Sequence, residues 1–251
     1  MKFSVIVPSY NQDRFIAQTL GNLVEMKQLA KDRGCELEIL VFDSESNSAV
    51  LKVLDHFKSQ LDYIEIKKDL GQYDAINKGI QKCKGDYWTW LNTDDLLTKQ
   101  GFIKVIEVLQ SNPEIDYIYG SIQYINEDNV ASKTVKAWNL SAEDLIGSRP
   151  SIFQPGSWFR KAFTEKTGLL APYQCCFDYE YICRLLNQNA RLYCLEEVLA
   201  QFRYYPDSKS GSIVKKFVEE QWFISKQFGR KWWHSLTWML ALRRVKHSLF
   251  S

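Results

Sequence analysis

Apolar positions along residues 1–120 switch repeatedly between strand-like runs and helical spacing. Phe3–Val7 is a compact apolar run of strand length. Ile16, Leu20, Leu23 and Met26 then recur at helical intervals, with Asn11 or Asp13 as the expected cap. Leu37–Phe42 predicts a second buried strand, and Val50, Leu51, Leu54 and Phe57 a second helix. Tyr63–Ile66 is a short third strand, followed by the helical set Ala75, Ile76, Gly79, Ile80 and Cys83. Gly85-Asp86 turns into the strand Tyr87–Leu91, where Trp88 and Trp90 read as core residues. Phe102, Val105, Ile106 and Leu109 mark a further helix closed by Asn112-Pro113, and Tyr117–Tyr119 is the next strand. This alternation predicts an α/β fold with a mostly parallel sheet and helices on both faces.

The second half changes character. Residues 121–138 read as extended and edge-like, and 139–157 as loop-rich, with Pro150, Pro155 and Gly156. A short helix near Phe163–Thr167 ends at Gly168. A longer one starts near Asp178, with Tyr181, Ile182, Leu185 and Leu186 as its apolar face. From Ile213 the pattern is helical again. No acid follows Glu220, whereas Lys226, Arg230, Lys231, Arg243, Arg244 and Lys246 interleave with Trp222, Trp232, Trp233 and Trp238. The expected organisation is one domain of two halves, over 1–120 and 121–212, followed by a basic aromatic tail over 213–251.

Composition narrows the classes. At 251 residues and 45% apolar, the chain supports one large domain with a sizeable core. A net charge of +2 gives no general case for a nucleic-acid partner. The N-terminal run MKFSVIVPSY enters a strand directly and is too short for a signal peptide, and no segment reaches membrane-spanning length. Six cysteines without a CxxC spacing read as reduced core thiols of a cytoplasmic protein. His56, His234 and His247 have no partner pattern.

In open α/β sheets, ligands bind outside the carboxyl ends of the strands. Pro8-Ser9-Tyr10-Asn11 follows the first strand and Asp43-Ser44-Glu45-Ser46 the second. Gly71-Gln72-Tyr73-Asp74 precedes a helix, and Asn92-Thr93-Asp94-Asp95 ends the fourth strand. An acidic crevice either takes phosphate through a divalent cation or reads hydroxyl and N–H groups. Mg²⁺ and Mn²⁺ prefer oxygen donors, usually one or two carboxylates plus substrate phosphates, which suits Asp94 and Asp95. Asp43 suits N–H groups of a base, with Tyr10 able to stack on its ring. Neither GxGxxG nor GxxxxGK[ST] occurs, so a dinucleotide fold and a P-loop are disfavoured. Plainer roles stand beside these: helix-start acids at Asp94-Asp95, a turn at Asp43, helix caps at Asp74 and Asp178, ordinary packing for Tyr10 and a solvated Lys78.

SVIVPSYNQ at 4–12, ILVFDSES at 39–46, DLGQYDAINKGIQKCKGDYWTWLNTDD at 69–95 and FDYEYICRL at 177–185 together resemble the family 2 glycosyltransferases of the GT-A fold, in order and spacing over roughly residues 3–210. The resemblance implies the nucleotide-diphospho-sugar transferase architecture, here with a C-terminal helical extension, with nucleotide-sugar binding in the half over 1–120 and acceptor binding in the half over 121–212. It also implies inverting transfer from a nucleotide sugar, commonly UDP-linked, with Mn²⁺ or Mg²⁺ as cofactor. Carried over by position, it puts Pro8, Ser9, Tyr10 and Asp43 around the nucleobase and Asp74 and Lys78 near base or ribose. Asp94 and Asp95 match the family's DxD-type acids, shared between ribose and metal, and Asn92 stands where many members have the first Asp. Asp178 matches the second acid of an acid–acid pair and is the expected base. Phe177 replaces the first acid, and Glu180 is the alternative base. Arg203 and Lys209 are expected to clamp the diphosphate, in a loop where Tyr205 stands at a position often occupied by His.

The resulting expectation is a metal-dependent hexosyl- or N-acetylhexosaminyl-type transferase. It acts on a hydroxyl of a glycan or lipid-linked glycan, as in bacterial surface-polysaccharide and lipopolysaccharide assembly. The QxxRW signature of processive synthases is absent, which implies one sugar per encounter. A basic, Trp-rich helix suits a membrane interface, so residues 230–251 are expected to contact the inner face of the cell membrane. Two alternatives are a sugar nucleotidyltransferase and an inactive nucleotide-sugar-binding protein.

Overall fold

The computed structural model describes residues 1–148, 152–205 and 214–249. In chain order the elements are β1 (Lys2–Ser9), α1 (Ile16–Asp32), β2 (Glu36–Asp43), α2 (Ser48–Phe57), β3 (Tyr63–Ile66), α3 (Gln72–Lys82), β4 (Tyr87–Trp90), β5 (Leu96–Leu97), α4 (Lys99–Ser111), β6 (Tyr117–Ile125), β7 (Ala131–Val135), α5 (Ala142–Gly147), β8 (Trp158–Arg160), α6 (Lys161–Thr167), α7 (Phe177–Asn187), β9 (Leu192–Arg203), α8 (Val214–Gln227) and α9 (Ser235–Leu249).

The strands form one sheet in the order β3-β2-β1-β4-β8-β6-β9-β5, with β7 added on β6. β3, β2, β1 and β4 are parallel. β8 runs antiparallel to both β4 and β6, and β6 is parallel to β9 over a long register from Tyr117↔Leu192 to Ile125↔Arg203. The carboxyl ends of β1, β2, β4, β6 and β9 therefore gather on one edge.

Period-two alternation sorts the strand residues between two cores. Val5, Val7, Ile39 and Val41 face Ile16, Leu20, Leu23 and Leu54 from α1 and α2 on one side. Ile6, Leu40 and Phe42 face Ala75 and Ile76 of α3 on the other. That second core continues as an aromatic layer. Phe159 stacks on Trp88 at 4.7 Å, on Trp90 at 5.6 Å and on Tyr117 at 4.7 Å. The indole Nε1 of Trp88 donates to Thr164 Oγ1 at 2.8 Å, so the buried polar atom is satisfied.

Several elements depart from the sequence pattern. β9 is twelve residues long and carries no expectation of a strand. Its side chains alternate irregularly because the register with β6 shifts twice, between Tyr119 and Ser121 and between Ser121 and Ile122. Neither Asn11 nor Asp13 caps α1, which starts after Phe15 without a side-chain cap. Asn11 is instead drawn to the β2–α2 loop, accepting from Asn47 N at 2.8 Å. β6 runs across position 120, so the two halves divided there share one sheet. Four of the six cysteines, Cys35, Cys83, Cys176 and Cys183, are buried.

Gly79 lets α3 approach β1 closely. A Cβ there would meet Ile6 Cγ2 at 2.4 Å. Gly79→Ala gains about 1 kcal/mol of helix propensity but incurs roughly 1–3 kcal/mol of overpacking. A net loss of stability is expected, read as a lower urea midpoint; an unchanged or higher midpoint would contradict this packing.

Candidate functional site

The strand ends enclose a cleft of about 750 Å³. Pro8, Ser9 and Tyr10 from β1 and its loop line it, together with Ser44 and Glu45 after β2 and Lys68, Asp69, Gly71 and Gln72 between β3 and α3. Asn92, Thr93 and Asp94 after β4, and Phe202, Arg203 and Tyr205 at the end of β9, complete the wall with Gln12. Tight turns shape its lip. Asn11 and Glu45 both hold left-handed backbone conformations, φ 50° and 53°, which non-glycine residues adopt only when their surroundings impose it. Gly71 sits at φ 127°, and its N–H donates to Asp69 Oδ1 at 2.9 Å.

Asp43 stands behind this wall, 1% exposed. Ser9 Oγ and Ser46 Oγ donate to its Oδ2 at 2.6 and 2.7 Å, and Ser46 N donates to Oδ1 at 2.8 Å. Ser46 Oγ in turn accepts from Asn11 N at 2.8 Å. In this state the carboxylate is spent on tying the β1 and β2 loops together.

The adjacent acids after β4 diverge at a turn in which Asp95 N donates to Asn92 O at 3.2 Å. Asp94 faces the cleft, and its Oδ2 accepts the Tyr205 hydroxyl at 3.0 Å. Asp95 turns inward, 1% exposed, and accepts Arg203 N at 3.0 Å and Asn92 Nδ2 at 3.1 Å. Expected as a ligand pair, the two acids present one carboxylate to the cleft. Burial pushes the Asp94 carboxyl up, against the lowering effect of the Tyr205 hydrogen bond. Burial and then the Asp94 charge push Asp95 well above the ordinary range, despite its donors.

Arg203, expected as a diphosphate clamp, lines the cleft with its guanidinium engaged by protein groups. It is 1% exposed. Its Nε donates to Asp94 O at 3.0 Å and its Nη1 to Asn126 O at 2.8 Å. Nη2 reaches Asn129 Oδ1 at 2.8 Å and Gln18 Oε1 at 3.1 Å. The guanidinium also lies over the Phe15 ring at 4.3 Å, so it braces the floor. Tyr205, at the position the resemblance associates with His, accepts from Gln12 Nε2 at 2.7 Å while donating to Asp94. Burial, with the Asp94 carboxylate, raises the phenol to about 12, so it stays a neutral donor.

Asp74 and Lys78 pair with each other at 3.3 Å, half-buried and outside the lining. Asp178 is half-buried in the first turn of α7, also outside the lining, and its Oδ1 accepts Tyr179 N at 2.7 Å. The neighbouring Phe177 packs on Trp90 at 6.0 Å, which places α7 behind the exit of β4. Both oxygens of Glu180, the alternative base, accept from Arg184, at 3.0 and 2.7 Å. Lys209 lies outside the described residues. Lys68, Asp69 and Gln12 escaped the sequence reading, although the strand-end rule applied to β3 would have pointed to the first two.

Among the described residues, no group of three or more His, Cys, Asp or Glu side chains could hold a metal ion. Of the two acids after β4, Asp94 alone faces the cleft, whose lining also includes the acids Glu45 and Asp69. Mg²⁺ and Mn²⁺ commonly take one or two carboxylates and complete their shells with phosphate and water. The donor set thus fits an ion arriving with a diphosphate and does not fit one caged by protein alone.

A family model described as "Glycosyl transferase family 2" matches residues 4–179. The chain belongs to glycosyl transferase family 2. An uncharacterized glycosyltransferase of Haemophilus influenzae is 24% identical over 193 residues, covering 74% of this chain and 62% of its own length. The chain therefore spans less than two thirds of that relative. A protein of Methanococcus voltae named dolichyl N-acetyl-alpha-D-glucosaminyl phosphate 3-beta-D-2,3-diacetamido-2,3-dideoxy-beta-D-glucuronosyltransferase is 24% identical, covering 94% of this chain and 76% of its own. Among solved structures, Staphylococcus aureus TarS in complex with UDP-GlcNAc superposes with a TM-score of 0.70 at 18% identity, covering 89% of this chain and 65% of that one. The mannosyltransferase PcManGT of Pyrobaculum calidifontis, in complex with GDP-Man and Mn²⁺, gives 0.65 at 16% identity, covering 90% and 64%. This family 2 chain thus has the GT-A fold, a curled, mostly parallel sheet flanked by helices.

An acid with a raised folded pKa keeps a proton that the unfolded chain has released, so it costs stability as pH rises from about 4 toward that raised value. Asp95→Asn removes this titration. Between about pH 7 and about pH 5 in metal-free buffer, the urea midpoint of the wild-type chain should rise relative to that of Asp95→Asn. A gap constant over that interval would show that Asp95 does not titrate there.

Proposed function

We propose that this chain transfers a sugar, with inversion, from a nucleoside diphosphate sugar, preferably UDP-linked, to a hydroxyl of a glycan or lipid-linked glycan. The observation that carries the proposal is the cleft itself. It gathers Pro8, Ser9 and Tyr10 with the carboxylate of Asp94 at the strand ends where the fold binds ligands. The complexes of TarS with UDP-GlcNAc and of PcManGT with GDP-Man support the donor class.

In this reading Tyr10, 68% exposed on the lip, stacks on the base. Asp43 keeps Ser9 and the β2 loop in place behind the nucleoside, with Asp74 and Lys78 flanking the entrance. Lys68, exposed on the opposite wall, supplies a cation for the diphosphate. Asp94, released from Tyr205, would hold Mn²⁺ or Mg²⁺ together with the diphosphate. Such an ion, when bound, offsets the charge gathering on the leaving group. Asp178 takes the proton from the acceptor hydroxyl as that oxygen attacks the anomeric carbon from the face opposite the diphosphate.

The tail supports an acceptor at a membrane surface. Trp232, Trp233, Trp238 and Leu242 are 60–72% exposed, beside the exposed cations Lys231 and Arg243. Among the described residues, no helix is long and apolar enough to cross a membrane. We therefore place residues 230–251 on the lipid interface, on the cytoplasmic side, and the dolichyl phosphate sugar in the Methanococcus relative's name is consistent with a lipid-linked acceptor.

UDP with Mn²⁺ should raise the melting temperature more than UDP alone, since a ligand that binds only the folded state stabilises it. Asp94→Asn should abolish the metal-dependent part. Asp178→Asn should retain the UDP response and lose transfer by roughly 100-fold or more. A wild-type chain indifferent to every nucleoside diphosphate would sink the donor assignment. On vesicles containing phosphatidylglycerol, replacing Trp232, Trp233 and Trp238 by Ser should weaken sedimentation at least tenfold; equal binding would remove the tail from the interface.

A further inference from the structure

The tail also reaches inward, to the helix that carries Asp178. α7 begins at Phe177, with Cys176 at its N-cap position and no side chain of its own to cap it. The carboxylate of Glu220, on α8 and 7% exposed, instead holds the three residues just ahead of that first turn. Its Oε1 accepts Gln174 N at 3.0 Å, and its Oε2 accepts Cys175 N at 2.8 Å and Cys176 N at 3.0 Å. Three consecutive backbone donors thus converge on one buried charge from a segment 44 residues away. The contact is reinforced where Cys176 Sγ donates to Phe217 O at 3.5 Å and where Ile224 joins the same core cluster as Cys176 and Phe177.

The approach to α7 is held at several further points. Asn77 holds Leu170 through a reciprocal pair of bonds at 2.9 and 2.8 Å, and Tyr173 N reaches Ala171 O at 2.8 Å. Arg184 of α7 also donates to Thr167 O at 2.8 Å and to Leu169 O at 2.9 Å, and Glu220 fixes the three residues that immediately precede the helix. Two residues into it, Asp178 has its Oδ1 fixed on Tyr179 N, so the direction of its carboxylate follows the direction of that first turn. A charge-assisted bond to a backbone N–H is stronger and more directional than a neutral one, and three of them define a position rather than a mere attachment.

We propose that Glu220 is a positioning residue for Asp178: the C-terminal helix α8 holds the first turn of α7 in the orientation that proton transfer from the acceptor requires. This rests on the assignment of Asp178 as base in the proposed function. Phe177, 4% exposed in the aromatic core, cannot supply a polar anchor for that turn, and Glu220 does so from another element. The segment beyond residue 213 is then part of the transferase site, in addition to any surface role of its outer face.

The test compares Glu220→Gln, which keeps the size but offers one acceptor oxygen in place of two, with Val218→Ala. The latter thins the α8–α9 packing among Val218, Leu236 and Leu240 without touching α7. Hydrogen exchange of the ligand-free chain should show the amides of residues 174–179 exchanging at least tenfold faster in Glu220→Gln and at wild-type rates in Val218→Ala. Turnover is read as nucleoside diphosphate release from UDP-glucose, UDP-N-acetylglucosamine or GDP-mannose, whichever the wild type uses. It should fall tenfold or more in kcat for Glu220→Gln, with donor KM and the UDP-induced melting shift unchanged. Val218→Ala should lose melting temperature but not kcat. Should Glu220→Gln not fold, Glu220→Asp makes the same comparison, since it keeps the charge but withdraws it by one methylene; the same signs of change are expected. Wild-type exchange over 174–179, or wild-type kcat, in a folded Glu220 variant overturns the inference. If Asp178→Asn is silent while Glu220→Gln turns over normally, this inference alone fails. If Asp178→Asn turns over normally, the base assignment fails with it.

Discussion

Asp95 accepts the backbone N–H of Arg203 at 3.0 Å and the side-chain amide of Asn92 at 3.1 Å, and these two contacts join the exit of β4 to the end of β9. A carboxylate removed from water is costly unless donors replace the lost hydration. Burial and the nearby Asp94 still push its proton affinity well up, so the donors only partly offset the cost. What the arrangement secures is geometry. With Asp95 turned into the protein, Asp94 must face the cleft, and the Arg203 guanidinium arrives where it can take the Asp94 carbonyl at 3.0 Å. The floor of the cleft is therefore built by one residue that never touches it.

The same network accounts for the amide at position 92, where the resemblance leads one to expect an acid. Asn92 donates to Asp95 through Nδ2 and accepts from Gln72 Nε2 at 2.6 Å through Oδ1. An aspartate there would lose the donor and put a third negative charge beside two carboxyls whose proton affinities are already raised. The departure at 177 has a parallel logic. Phe177 belongs to the layer in which Trp90 lies nearly parallel to Phe159, at 7°, and a charge in that layer would have no partner. Each departure from the family pattern is matched by a neighbour that makes the native residue the cheaper choice.

The strand–helix alternation of the first half was legible because each face of each strand reports its burial directly: Val5 and Val7 go one way, Ile6 the other. The gathering of loops at the strand ends was legible for the same reason. The direction of individual polar side chains was not. Asp94 and Asp95 are equivalent in composition, and only the backbone at the strand exit separates them. Arg203 read as a ligand-facing cation because its carbonyl partners Asp94, Asn126 and Glu127 are invisible as such in a sequence. Glu180 read as a base because an i,i+4 Arg is also what a solvated helix shows; only its 7% side-chain exposure reveals a buried pair. β9 escaped because its register shifts break the period on which strand recognition depends.

The site is assembled from two kinds of contact with different reach. Asp43 binds loops that are neighbours in the parallel sheet, through Ser9 and Ser46, and its effect stays with the β1 and β2 loops. Asp95 and Glu220 instead reach across 108 and 44 residues of sequence to fix backbone N–H groups. A buried carboxylate serves that purpose better than an apolar contact, because it accepts several directed bonds at once and loses much when any of them is misplaced. Apolar packing tolerates small slips, since a core can repack with modest loss. The proposed reaction, which needs a leaving group and a proton acceptor on opposite sides of one carbon, has little such tolerance. The placement of these two acids, one behind Asp94 and one behind Asp178, is what that requirement predicts.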